Sequence, residues 1–281
     1  MPLPRVASIQ DMSGVGRCSL TAAIPILSAM GAQVCPLPTA VLSNQTAFDS
    51  YTATSLTDHL ACSISEWKKQ GLRFDAVTTG FLMDARQASL AGDFIGYAKA
   101  MGALIVIDPV MGDEGSLYPV FDQSMVNAFI SLVRDADVIT PNLTEACLLA
   151  DIQYPGSDLP GEQRIAEIAR PIAQRLCSLG PHTVIITGIH SGEYVYNVSY
   201  QARTDEMSCT GSPRIGGSFS GTGDIFSSIV CGALLRGESI DRALRLARIL
   251  FEHAITLSVS ENTDPREGIA FERFLHILCP Q

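Results

Sequence analysis

The segment Gly216-Gly217-Ser218-Phe219-Ser220-Gly221-Thr222-Gly223-Asp224 places four glycines ahead of a carboxylate and an apolar run. Glycines let the backbone turn tightly and approach a ligand, and the first free N–H groups of a following helix form an anion site. A phosphoryl group suits such a site. Asp224 then has two readings. It is an acid at a helix start, favoured by the helix dipole, or a base that takes the proton of a nucleophilic hydroxyl beside the anion hole. The local pattern leaves both open.

A second set of polar residues, Asp108, Asp113, Asn142 and Glu145, offers hard oxygen ligands that fit Mg2+ directly or through its waters. Asn142 and Glu145 are spaced i,i+3, on one helix face. The same pair also reads as helix capping by Asn142 beside a solvated Glu145. The cluster Ser13-Gly14-Val15-Gly16-Arg17-Cys18-Ser19 fails as a dinucleotide fingerprint, because Ser19 holds the last glycine position and no acid ends the next strand. It reads as a mobile substrate loop or a simple strand-to-helix turn. No G-x-x-x-x-G-K-[ST] loop is present, and the five histidines lack metal-ligand spacing. The eight cysteines form no C-x-x-C pair and read as reduced thiols.

These residues need a scaffold that brings distant parts of the chain together. Apolar runs predict strands over 5–9, 34–37, 76–79, 103–107, 137–140 and 183–187, the central ones continuously apolar, as in a parallel sheet buried on both faces. Helical spacing predicts helices over 19–30, 57–70, from a cap at Asp84 to 101, 122–134, 142–150, 162–179, 222–236 and 240–259. A hairpin is predicted over 195–200 and 206–210, and a loop over 109–121. Repeated β-α units imply a doubly wound α/β fold in which ligands lie beyond the carboxyl ends of the strands. Asp108, Thr140 to Glu145 and Thr187 all follow strands, so one sheet edge collects them.

With 281 residues, 47% hydrophobic and 17% charged, the chain has material for a large core and reads as one domain over 1–281. A net charge of -10 argues against nucleic-acid or anionic-membrane partners, which need basic surfaces. The opening MPLPRVASIQ lacks a secretory pattern, and no apolar run approaches a membrane span, so a cytoplasmic location is expected.

Seven segments in order resemble the ribokinase-like superfamily, and within it the pyridoxal (pyridoxine, pyridoxamine) kinases. They are Ser8-Ile9-Gln10 with the glycine-rich turn, Leu42 to Thr46, Thr79-Gly80-Phe81, Asp108 to Asp113 with Gly115 to Tyr118, Thr140 to Glu145, Val184 to Thr187, and Gly221 to Asp224. The resemblance implies a three-layer α/β/α fold with a mainly parallel sheet, ATP as co-substrate, Mg2+, often a monovalent cation such as K+, and commonly a homodimer. By matching position it implies that Asp224 is the base acting on the 5'-hydroxymethyl group of the vitamin. Gly221, Thr222 and Gly223 would be the anion hole. Asn142, Glu145 and Asp108 would organise Mg2+, and Asp108, Thr140, Asn142, Thr187 and Thr222 would face the phosphates of ATP.

Thr46 and Phe81 match positions that contact the vitamin, although the family often has Tyr where Phe81 stands. Asp11-Met12-Ser13 replaces a Ser-His pair whose serine touches the pyridine, which makes Asp11 and Ser13 the candidates for that contact. Two other readings stand beside this one. Hydroxymethylpyrimidine kinases of thiamine synthesis share the fold but often carry Cys at the position of Asp224. A non-catalytic vitamin or nucleotide sensor would need neither base nor metal.

Overall fold

The computed structural model describes residues 3–280. In chain order the elements are β1 (Arg5–Ser13), α1 (Ser19–Ala29), β2 (Gln33–Leu42), β3 (Ala53–Ser55), α2 (Thr57–Lys69), β4 (Ala76–Thr79), α3 (Ala85–Ala100) and β5 (Leu104–Ile107). A small hairpin, β6 (Gly112–Asp113) and β7 (Ser116–Leu117), precedes α4 (Gln123–Val133), β8 (Val138–Ile139), α5 (Leu143–Ala150) and α6 (Gly161–Cys177). Then come β9 (Thr183–Ser191), β10 (Tyr194–Gln201), β11 (Glu206–Pro213), α7 (Thr222–Leu235) and α8 (Ile240–Ser260). Two 3-10 segments follow, Pro265–Glu267 and Phe271–Leu278.

Nine strands form one sheet in the order β11-β10-β9-β8-β5-β4-β1-β2-β3. The strands from β9 to β2 pair in parallel, while β3 joins one edge and β10 and β11 the other through antiparallel pairings. Apolar residues alternate between two cores. Ala7, Ile9, Ile105, Ile107, Val184 and Ile186 face the layer of α2 to α6, whereas Val6, Val106 and Ile185 face α1, α7 and α8. That two-sided burial is why Leu104–Ile107 and Val184–Ile186 are apolar at every position, and it gives the expected three-layer α/β/α fold.

Several boundaries differ from the sequence expectation. β1 runs to Ser13 rather than stopping at residue 9, and β2 continues to Leu42. The polar residues Gln10, Asp11 and Ser13 carry no apolar signal, yet they are buried and hydrogen-bonded. The expected hairpin forms β10 and β11, longer than predicted. The supposed loop over 109–121 contains β6 and β7, and β3 was not anticipated. Strand order reverses between β1 and β4, so the cleft beyond their carboxyl ends is the topological place for a ligand.

Candidate active site

Gly221 caps α7 in the left-handed region, at φ 76°. The first helical bond runs from Ile225 N–H to the Gly221 carbonyl at 3.1 Å, so the amides of Thr222, Gly223 and Asp224 have no helical carbonyl to donate to. Gly223 is exposed, which leaves this end of the helix open to an anion. Asp224 does not cap its own helix. Its Oδ2 instead accepts the backbone N–H of Ser19, the first residue of α1, at 2.8 Å. Burial pushes the Asp224 carboxyl up to about 7; the Ser19 N–H opposes this, and the nearby Asp11 charge adds to it.

Asp108 leaves the end of β5 and points toward α7, so that a methyl on Gly223 would sit 3.6 Å from its Oδ2. Burial and then the charges of Glu145 and Asp224 hold its carboxyl well above the usual range. Asn142 caps α5 and makes a reciprocal capping box with Glu145. Glu145 N–H donates to Asn142 Oδ1 at 2.9 Å, and Glu145 accepts from Asn142 N–H at 2.8 Å and from Met111 N–H at 3.1 Å. Capping is therefore real, but Glu145 is 3% exposed rather than solvated. Burial raises it to about 8 despite those backbone donors. Thr140 is buried with an unpartnered hydroxyl, and Thr187 pairs with Pro141 through its N–H at 2.9 Å, beside Asn142. Asp113 is exposed on β6.

On the other side of the cleft, Asp11 lies on β1 with its oxygens accepting from Ser13 Oγ at 2.9 Å and Ser19 Oγ at 2.5 Å. Burial raises its carboxyl, and the two hydroxyls offset part of that. Phe81 follows β4 half-buried, its ring 5.7 Å from that of Phe121, and its carbonyl accepts from Thr39 Oγ1 at 3.0 Å. Thr46 is exposed in the loop after β2, next to Gln45, whose side chain donates to Ser220 Oγ at 3.0 Å. The structure thus brings Asp11, Ser13 and Asp224 into one bonded network through Ser19 and gathers Asp108, Asn142 and Glu145 near it, while Thr46 is exposed.

A family model described as phosphomethylpyrimidine kinase matches residues 14–267. The chain belongs to the phosphomethylpyrimidine kinase family. Among solved structures, a putative phosphomethylpyrimidine kinase from Bacteroides thetaiotaomicron is 39% identical. That comparison has a TM-score of 0.94 and covers 100% of this chain and 96% of the other. An orthorhombic form of that protein was obtained with pyridoxal. Pyridoxal kinase from Lactobacillus plantarum is 28% identical with a TM-score of 0.86, covering 98% of this chain and 96% of that one. Pyridoxal kinase PdxY from Rubrobacter xylanophilus is 27% identical over 252 residues, 86% of this chain and 83% of its own. The expected ribokinase-like resemblance and α/β fold are borne out.

For this family member, sequence reasoning missed three parts of the cleft. Ser19 supplies the N–H that holds Asp224, a backbone role that leaves no trace in residue type. Met111 N–H fixes Glu145. Tyr118, just after β7, has its phenol pushed above its ordinary value by burial and then by the charges of Glu145, Asp113, Asp108 and Asp224. The glycine-rich segment is a tied turn: Gly14 N–H donates to Leu42, Arg17 N–H to Glu267, and Gln45 N–H to Val15.

Among the described residues, no group of three or more His, Cys, Asp or Glu forms a ready metal cage. The charges of Glu145 and Asp224 both bear on Asp108, while Asp113 bears on Glu145 and Asp11 on Asp224, so negative charge accumulates here. A hard divalent ion that keeps several waters fits this donor set.

Proposed function

We propose that the chain is a vitamin B6 kinase, transferring the terminal phosphoryl group of ATP to the 5'-hydroxymethyl group of pyridoxal, pyridoxine and pyridoxamine. The observation that carries this is Asp224 itself. It is a carboxylate at the open end of α7, beside free amides, anchored by one backbone N–H and tuned to about 7. A group so placed accepts a hydroxyl proton near neutral pH while the amides of Thr222 and Gly223 stabilise charge on the transferred group. Phosphoryl transfer needs alignment and charge stabilisation more than covalent help from the protein. The names of the relatives, and the Bacteroides protein obtained with pyridoxal, support the vitamin as acceptor.

In this reading Thr140, Asn142, Thr187 and Thr222 face the nucleotide phosphates, and Phe81, Ser13 and Thr46 line the vitamin side. Asp108 would hold Mg2+ directly and Glu145 and Asn142 through its waters; when bound, the ion neutralises phosphate charge. The chain acts as one kinase domain in the cytoplasm; among the described residues no helix is long and apolar enough to cross a membrane. A homodimer is supported by exposed apolar residues at the β1–β2 end, Met12, Val15 and Val41, with Tyr51 nearby in the loop.

The matched family description and the Bacteroides relative's name favour a second reading, hydroxymethylpyrimidine phosphorylation. Steady-state assays with ATP and each of pyridoxal, pyridoxine, pyridoxamine and hydroxymethylpyrimidine decide between them. The expected result is a higher kcat/KM for at least one B6 vitamer. Preference for hydroxymethylpyrimidine over all three would overturn the B6 assignment, and no turnover of any would leave the sensor reading.

A further inference from the structure

Asp11 is 4% exposed, and its partners are two serine hydroxyls rather than a basic side chain. Ser19, one of those partners, has φ 46°. Four other described non-glycine residues share a positive φ: Glu114, Asp151, Asp205 and Asn262. All four are exposed in turns or at helix ends, whereas Ser19 is buried and opens a helix. A side chain in the left-handed region persists only where its surroundings hold it, and such strain collects at functional sites. Here the strained peptide has a visible product. The Ser19 N–H points at Asp224 Oδ2, across 205 positions of sequence, while the Ser19 hydroxyl is tied to Asp11 Oδ1.

We propose that Asp11 is a positioning residue for phosphoryl transfer: by accepting the Ser19 hydroxyl, with Ser13 bracing its other oxygen, it keeps Ser19 left-handed so that the Ser19 N–H fixes the Asp224 carboxylate. This rests on the kinase reading. It differs from direct recognition of the vitamin ring, since Asp11 is buried and each of its oxygens already accepts a serine hydroxyl. Glycine adopts a left-handed φ without a tether, so Ser19→Gly keeps the N–H but no longer needs Asp11. That makes the relationship separable from simple loss of packing.

The experiment compares wild type, Asp11→Ala, Asp11→Asn, Ser19→Gly and the double variant Asp11→Ala/Ser19→Gly. It measures hydrogen exchange of the residue 19 amide by NMR, together with kcat and KM for pyridoxal and ATP. For Asp11→Ala the expected result is residue 19 exchange at least about tenfold faster and kcat about tenfold lower, with both KM values within about twofold. Asp11→Asn, which retains one acceptor and the shape, should fall between. The double variant should recover most of the lost kcat and protection, a non-additivity that general destabilisation does not produce.

An unchanged kcat and exchange rate in Asp11→Ala, a loss confined to the KM for pyridoxal, or no recovery with glycine at position 19 would overturn the proposal. If the wild-type protein phosphorylates none of the vitamers, the kinase reading fails separately. Amide exchange still decides whether Asp11 holds Ser19 against Asp224.

Discussion

Gly221 meets Arg17 backbone to backbone: a Cβ on Gly221 would run into the Arg17 carbonyl oxygen and stand 2.9 Å from the Cα of Cys18. The anion-binding end of α7 and the turn leading into α1 are therefore seated on each other. Gly221 also has φ 76°, so a side chain there would be strained by its backbone as well as by the collision. Gly221→Ala should cost at least about 2 kcal/mol from left-handed strain plus overpacking. It should also lower kcat by displacing both the amides and Ser19. Thermal unfolding and kcat measured on the same preparation check this. A variant with normal stability and turnover would show that the two segments separate freely.

Asp224→Asn separates base from scaffold. Asn retains an acceptor for the Ser19 N–H, so the helix junction should survive, while the proton acceptor is lost. The turnover should fall roughly 10²–10⁴-fold, a barrier increase of about 3–5 kcal/mol. In the wild type, kcat/KM for the vitamer should fall as pH drops through about 7, because protonation of Asp224 removes the base. A folded Asn variant with near-wild-type kcat, or a rate independent of pH from 5 to 8, would take the base role away from Asp224.

The legible part of this molecule was the part written in apolar period and in glycine. Leu104–Ile107 and Val184–Ile186 are uniformly apolar because both faces are covered, and α7 begins at the expected Thr222. Asp84 caps α3 through Gln87 N–H, as its residue type suggested. Proline did not interrupt α1 or α6, where Pro25 and Pro171 lie inside helices. The continuation of β1 to Ser13 is not legible, since Asp11 and Ser13 are polar and buried by bonding to each other, while the apolar Met12 between them is exposed. The link from Asp11 through Ser19 to Asp224 depends on a backbone N–H and a positive φ, neither of which a residue name carries. Asp224 is the acid of the first turn of α7, as its place at the helix start suggests, but Gly221 holds the cap and the carboxylate accepts from Ser19 instead.

Glu145→Gln tests the metal role against the capping role. Both carboxylate oxygens of Glu145 face backbone N–H groups, so an amide nitrogen there must confront a donor. A loss of about 1 kcal/mol from the capping box is expected in any case. If Glu145 also orders the waters of Mg2+, the Mg2+ concentration for half-maximal rate should rise several-fold at saturating ATP and vitamer. A lower thermal midpoint with an unchanged Mg2+ titration would make Glu145 a structural cap alone.

The carboxylates also set a pH dependence of stability whose sign follows from their direction. Asp108, Glu145 and Asp224 all bind protons more tightly in the folded chain than their ordinary values of 3.8, 4.5 and 3.8 imply. Below those values both states are protonated and the groups contribute nothing. As pH rises toward about 7 for Asp224 and about 8 for Glu145, the unfolded chain ionises first, so this set lowers stability progressively and fully above that window. A divalent cation that binds the ionised cluster should reverse the effect, stabilising by about 2.7 kcal/mol at a hundredfold excess over its Kd. Mg2+ should therefore raise the thermal midpoint more at pH 8 than at pH 5.5, where protons compete for the same oxygens. Differential scanning calorimetry at the two pH values, with and without Mg2+, measures this. An equal Mg2+ effect at both would mean that the ion does not bind the buried carboxylates.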